Sequence, residues 1–307
     1  MVVLTVNAGS TSLKLHLVRG DESEAVDRFA AADAVGHRVV HGGPRLEGPC
    51  LLDAEVEAEI ERASVLAPLH NGPALDAIRR AREELPGVPH VAVFDTAFHR
   101  TIPAAASTYA LPARWREEWH VHRYGFHGIS LQWVVQRVRA PRLVVCHLGG
   151  GCSVTAVRDG RSVDTTMGFS PLEGVPMATR SGSVDPAALL YLLREGLQTA
   201  EELERALEHE SGLAGLSGGG SGDVREASPL ALDIFVHRVA AAVAAMASAC
   251  GGLDVLAFTG GIGEHAEAVR ERIVERVRFL GDFRVEVVHA REELVIAAET
   301  RRLLGRK

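Results

Sequence analysis

Two arginines stand in settings unlike a surface position. Arg38 lies in His37-Arg38-Val39-Val40-His41-Gly42-Gly43, and Arg180 lies in Thr179-Arg180-Ser181-Gly182. A guanidinium fork is the side chain best matched to a carboxylate or a transferring phosphoryl group. A surface ion pair is the competing reading, and Val39-Val40 beside Arg38 favours a buried or cleft position. Three glycine turns follow apolar runs: Asn7-Ala8-Gly9-Ser10-Thr11-Ser12, His147-Leu148-Gly149-Gly150-Gly151 and Thr259-Gly260-Gly261-Ile262-Gly263-Glu264. Glycine lets a ligand approach the backbone, and exposed N–H groups in such turns bind anions. The third turn opens a helix, whose N-terminus favours phosphate. Each alone reads equally as a tight turn. Together, with the hydroxyls of Ser10, Thr11 and Ser12, they point to a polyphosphate ligand. None is a Walker A loop, which needs a Lys after its last glycine.

Asp95 follows the apolar run Val91 to Phe94, and the carboxyl end of a buried strand is where α/β proteins place ligands. Glu292-Glu293 opens the last helical segment; Mg²⁺ is held by one or two carboxylates plus substrate phosphates, although acidic residues also belong at any helix start. His127, in Arg123-Tyr124-Gly125-Phe126-His127-Gly128, is a candidate for chemistry or a hydrogen-bonded structural histidine. His37 and His41 are four apart, but the valines between them and the glycines after them say strand and turn. That argues against a helical metal pair.

These side chains belong to a chain of 307 residues, long enough for two domains and a sizeable core. Apolar residues make up 47% and charged residues 24%, a soluble globular profile. The net charge of −7 argues against a broad nucleic-acid interface. Four cysteines, Cys50, Cys146, Cys152 and Cys250, form no C-x-x-C pair and read as buried thiols in a reducing compartment. The start lacks a basic region and apolar core, so no signal peptide is expected. Val239 to Cys250 is Ala-rich and reads as a buried helix, too short to span a bilayer. A cytoplasmic protein with no membrane partner is the expectation.

Val2 to Val6, a turn, and then Leu13, Leu15 and Leu17 alternating with polar residues predict a β-hairpin. Leu143 to Cys146, the glycine turn and Ser153 to Val157 have the same shape, which suggests two halves of related build. Helices are expected over Asp53–Leu66, Pro73–Leu85, Asp185–Leu193, Glu201–His209, Pro229–Cys250, from Gly260 to about Phe279, and over Glu292–Leu304. Further strands are expected at Val91–Phe94, Val255–Phe258 and Arg284–Val288. Strands mixed with helices in two similar halves give an α/β fold of two domains. The Ser217–Gly222 stretch fits either a linker or a ligand loop.

Taken together, the motifs resemble the acetate kinase family, within the sugar kinase and actin-like ATPase superfamily. The resemblance rests on Asn7 to Lys14, His37 to Gly43, Leu66 to Asn71, Phe94 to His99, Arg123 to Gly128, Asp164 to Phe169, Pro171 to Gly174, Thr179 to Gly182, Phe258 to Glu264 and Glu292 to Leu294, in family order. It implies two ribonuclease H-like, actin-type domains, residues 1–97 with 294–307 and residues 98–293, with the active site in the cleft between them. It also implies phosphoryl transfer between ATP and a short carboxylate such as acetate or propionate, with Mg²⁺ (or Mn²⁺) required. The partners are then ADP or ATP and a small carboxylate, and a homodimer is the expected assembly.

By this resemblance Arg38, Asp95, His127 and Arg180 are catalytic. Arg38, Val40, Leu69, Phe126 and Pro171 hold the carboxylate and its methyl group. Asn7, Asp95 and Glu292 belong to the metal site. Asn7, Ser10, Ser12 and Lys14 line the phosphate side. His147, Gly149, Gly150 and Gly151 join them on the nucleotide, as do Gly260, Gly261, Ile262, Gly263 and His265, with Asp223 and Arg225 as a further nucleotide contact. This chain has Gly150, Ser183, His265 and Arg291 where the family usually has Asn, Asp, Asn and Asn. A different donor such as pyrophosphate, a larger carboxylate, or a binding protein without turnover remain open at this point.

Overall fold

The computed structural model describes residues 1–9 and 13–305. The chain opens with an antiparallel meander of β1 (Val2–Ala8), β2 (Leu13–Arg19) and β3 (Glu22–Val26), followed by β4 (Ala34–Val39) and the short β5 (Cys50–Leu51). Next come α1 (Ala54–Ala63), α2 (Pro68–Glu84) and β6 (His90–Phe94). These strands form one sheet in the order β3-β2-β1-β4-β6-β5, with β4 parallel to β1 and β6 parallel to β4. Asp53 caps α1 by accepting the Val56 N–H.

Two short helices, α3 (Ala104–Ser107) and α4 (Ala113–Glu117), lead to α5 (Gly128–Arg137). The second meander is β7 (Arg142–Leu148), β8 (Cys152–Arg158) and β9 (Arg161–Thr165). Then follow α6 (Pro186–Arg194), α7 (Ala200–His209), α8 (Gly212–Leu216), α9 (Pro229–Cys250), β10 (Val255–Thr259), α10 (Gly260–His265), α11 (Glu267–Val277), β11 (Arg284–Val287) and α12 (Glu292–Leu304). The second sheet runs β11-β10-β7-β8-β9, with β10 parallel to both β7 and β11. Each sheet is thus a three-strand meander extended beyond its first strand by two successive parallel strands, with the short antiparallel β5 added at the edge of the first sheet. The repeat seen in the glycine turns extends to the topology of both halves.

The sheets are covered by helices. Phe235, Val236, Val239 and Val243 of α9 are fully buried in the core over β7 and β8. That helix is long and apolar enough by composition to cross a membrane, which the shorter stretch Val239–Cys250 did not suggest. Leu294, Val295 and Ile296 of α12 pack onto β1, β4 and β6. Helix α5 is buried on both sides. Ile129 and Trp133 join the core of the first sheet, while Leu131 and Val134 join that of the second.

Helix α2 begins at Pro68, five residues earlier than its apolar pattern suggests, and carries Pro73 inside it. The Ala67 carbonyl accepts the N–H groups of both His70 and Asn71, each at 3.0 Å. Pro68 at the first helical position needs no N–H partner. The early start brings His70 to the cleft between the sheets.

Candidate active site

The carboxyl ends of β1, β4 and β6 deliver Asn7, Arg38 and Asp95 to one wall of a cleft of about 1260 Å³. Arg38 donates from Nε (3.1 Å) and Nη2 (2.6 Å) to Oδ2 of Asp95, and from Nη1 (3.1 Å) to Oδ1 of Asn7. Asn7 in turn donates from Nδ2 to Oε2 of Glu292 at 2.8 Å. Burial works against the Arg38 charge, but the Asp95 and Glu292 carboxylates outweigh it and raise its pKa. Burial pushes the Asp95 carboxyl up, against the pull of Arg38. With two N–H groups aimed at Oδ2, the pair is read as ionised. Lys14 lies directly opposite Asn7 in the β1–β2 register, so it shares that face and also lines the cleft.

The facing wall carries Arg180 and His127. Arg180 reaches across the cleft, donating from Nη2 to Nε2 of His70 at 2.9 Å. His127 precedes α5 with φ +61°, in the left-handed region. Gly128 after it donates to the Asp95 carbonyl at 3.0 Å, and a Cβ there would stand 2.1 Å from that oxygen. The His127 ring stacks on His147 at 4.0 Å, and its Nδ1 meets the Ser153 hydroxyl at 3.0 Å. Ser130 holds Nδ1 of His147 at 2.9 Å. Burial, then the His147 ring and the two arginines, lower the His127 pKa well below its ordinary value. Burial likewise lowers His147, and burial with Arg180 takes His70 down to about 3. His70, His127 and His147 are therefore neutral at pH 7 and act as oriented hydrogen-bonding groups. Positive charge between the two walls comes from Arg38 and Arg180.

Val40, Phe126 and Pro171 line the same cleft beside Arg38 and His127. Leu69 lies in the first turn of α2 next to His70, and its side chain lies outside the described residues, as do Ser10 and Ser12. Gly149, Gly150 and Gly151 line the cleft together with Gly260, Gly261 and His265. A Cβ on Gly151 would come within 3.1 Å of His127 Nε2, whereas at Gly150 and Gly261 it would meet open space. Gly263 is buried and Ile262 packs on the second core, so neither lines the cleft. Asp223 and Arg225 do not line it either. They pair with each other, and the Arg225 side chain is 83% exposed.

The family model described as the Acetokinase family matches residues 20–300. The chain belongs to the acetokinase family. It is 45% identical over 285 residues to an acetate kinase of Nostoc punctiforme, covering 87% of this chain and 70% of that protein. It is 44% identical over 314 residues to an acetate kinase of Deinococcus deserti, covering 89% of this chain and 78% of that one. The fold superposes on a propionate kinase of Francisella tularensis with a TM-score of 0.91 at 32% identity, covering 98% and 99% of the two chains.

The acetokinase family uses ATP or ADP, and Mg²⁺ is typical of it. Among the described residues no cluster of three or more His, Cys, Asp or Glu side chains could cage a metal ion. The carboxylates of Asp95 and Glu292 and the Asn7 amide oxygen lie close together, and Asp95 Oδ1 is buried without a hydrogen-bond partner. A hard-oxygen set with few carboxylates fits Mg²⁺, which completes its octahedron with phosphates and water.

Sequence reasoning assigned no role to several acetokinase cleft residues. His70 lies within a quoted motif, yet its partner Arg180 is 110 residues away. Glu264 Oε1 accepts from the amides of Gly260 (3.1 Å) and Ala290 (3.0 Å), tying the third glycine turn to the segment before Glu292. Ser130 and Ser153, which orient the two stacked histidines, carry no local signal at all.

Proposed function

We propose that this acetokinase transfers the γ-phosphoryl group of ATP to a short carboxylate, acetate or propionate, giving an acyl phosphate and ADP by direct in-line transfer. The observation that carries the reading is the convergence of Arg38 and Arg180, one from each wall, beside an apolar patch of Val40, Phe126 and Pro171. Phosphoryl transfer needs positioning and positive charge around the equatorial oxygens, and little covalent work from the protein. A carboxylate is already ionised at neutral pH and needs no general base. Arg38, fixed by Asp95 and Asn7, and Arg180, fixed from outside the cleft, supply that charge. Neutral His127 contributes a hydrogen bond from a ring held by Ser153. Asn7, Asp95 and Glu292 would hold Mg²⁺, which supplies charge neutralisation on the phosphates when bound.

Phosphates then lie along Lys14 and the Gly149–Gly151 turn, with the purine toward Gly260, Gly261 and His265. The carboxylate's methyl group faces Val40, Phe126 and Pro171. The cleft closes between a domain of residues 1–97 with 294–307 and one of residues 98–293, excluding water from the reaction. The packing of α12 on β1 and β4 supports the first of these groupings.

A homodimer and a cytoplasmic setting belong to the same reading. Helix α6 supports the dimer, because none of its residues is buried and Leu190, Tyr191 and Leu193 are exposed. The four free cysteines suit a reducing compartment. Trapping the product with hydroxylamine, over a series of carboxylates with ATP and Mg²⁺, tests the function. Acyl hydroxamate from acetate and propionate is expected; its absence with every carboxylate overturns the reading.

A further inference from the structure

Arg180 is held at two of its three guanidinium nitrogens before any substrate arrives. Nη2 is on His70, and Nε stands 2.9 Å from Oε2 of Glu208 on α7. That oxygen is buried and takes part in no hydrogen bond, so Arg180 and Glu208 are joined as an ion pair. Glu201, Glu202 and Glu204 of α7, and Glu210 after it, are all exposed, whereas Glu208 turns inward with its side chain only 18% accessible. The third nitrogen, Nη1, makes only a long contact to Met177 Sδ (4.0 Å) and lies beside Gly151.

The backbone around Arg180 is clamped to the same place. Ser181 donates to the Leu207 carbonyl (3.0 Å), and the Thr179 hydroxyl donates to the carbonyl of Glu208 itself (2.9 Å). Ser211 and Leu213 donate back to Thr179 and Met177, each at 2.9 Å. The end of α7 therefore fixes both the loop and the edge of the guanidinium facing away from the cleft.

We propose that Glu208 is a positioning residue for phosphoryl transfer, one that acts through Arg180 by holding its Nε edge so that Nη1 faces the transferring group. The proposal rests on the kinase reading above. A long arginine side chain loses much rotamer freedom when it is ordered, and a pre-paid geometry leaves that cost out of the reaction step. The same carboxylate also withdraws part of the Arg180 charge from the cleft, an effect of opposite sign. Removing the Glu208 charge therefore slows the enzyme if positioning dominates and speeds it if the charge effect dominates.

The test is a double-mutant cycle on kcat, with Glu208→Gln and Arg180→Ala made singly and together. Gln keeps the shape of Glu, and thermal melting shows whether the fold survives. Glu208→Gln is expected to lower kcat by roughly 10- to 100-fold, the scale set by a misplaced group, with KM for ATP nearly unchanged. In the Arg180→Ala background the same change should leave kcat within about twofold, because neighbours acting as one unit are not additive. Wild-type or faster turnover in Glu208→Gln overturns the proposal, and so does an equal fold-loss in both backgrounds, which marks a general structural effect. Failure of the kinase reading is separable, since it shows as absent acyl phosphate formation by the wild-type enzyme.

Discussion

Arg38 and Asp95 meet on a single oxygen: both N–H groups that Arg38 gives to Asp95 fall on Oδ2, and Oδ1 stays buried without a partner. The carboxylate is 1% exposed, so Arg38 is its main compensation.

Arg38→Ala is accordingly expected to fail twice. Loss of one charge-stabilising donor lowers kcat by about 10²–10³. Loss of one member of a buried pair destabilises the fold by about 3–5 kcal/mol. The Asp95 pKa is already raised by burial, and without Arg38 it rises further. A folded-state pKa above the unfolded value means stability is retained in acid and lost as pH rises through the folded pKa. Thermal melts of Arg38→Ala against wild type should therefore show a small deficit near pH 4–5, around the carboxyl range, and a larger one at pH 8. A deficit that shrinks with rising pH contradicts the pairing.

The buried histidines make the opposite prediction for the wild-type protein. Burial lowers His41 and His99 to about 4, against an unfolded value of about 6.5. The unfolded chain binds more protons between these values, so stability is complete above about pH 6.5 and declines as pH falls toward 4. His99 donates from Nε2 to the Phe126 carbonyl at 2.8 Å and leaves Nδ1 to the Ser162 hydroxyl at 2.9 Å, which fits a neutral ring. His99→Gln should lower stability at pH 8 and flatten the slope of stability against pH below 6.5. An unchanged slope would remove His99 from the account.

Part of this was legible in the residues and part was not. The opening hairpin of each meander announced itself, because glycine turns between alternating apolar residues are local signals, whereas the third strands, β3 and β9, were not read. Arg38, Asp95 and Glu292 were legible, since their positions at strand ends and a helix start follow from neighbouring residues. Helix α5 was not read: Ile129, Leu131, Trp133 and Val134 bury two opposite faces, so Gly128–Arg137 has no single apolar stripe. Glu208 was equally hidden. In a run of charged residues with a capping box at Thr199 it reads as one more solvated carboxylate, and only the tertiary fold brings Arg180 to it.

Gly150 supplies a prediction about the donor. A Cβ there meets open space, so Asn fits without displacing a neighbour. A side-chain amide reaching the phosphates adds a hydrogen bond to a charged group, about 1.5–3 kcal/mol. Gly150→Asn should tighten ATP by one to two factors of ten in calorimetry, while KM for the carboxylate stays near wild type. Equal or weaker ATP binding would remove position 150 from the phosphate contacts.

Acceptor size is set, on this account, by Val40, Phe126 and Pro171. One methylene in such a pocket is worth about 1–3 kcal/mol, so the fall from acetate and propionate to butyrate is graded. Val40→Ala should raise kcat/KM for butyrate relative to acetate by roughly tenfold, within that range. A wild-type preference for butyrate, or a variant with unaltered ratios, would dissociate Val40 from the acyl group.

The central claim is that the γ-phosphoryl group passes directly to a carboxylate in this cleft. Phosphorus NMR of the purified protein with ATP, Mg²⁺ and acetate follows that transfer without a coupling enzyme. An acyl phosphate signal should grow as the γ-phosphate signal falls, with little inorganic phosphate when acetate is left out. The signal should rise far more slowly with Arg38→Ala or Arg180→Ala. ATP consumed only to inorganic phosphate, at a rate indifferent to acetate, would contradict the account.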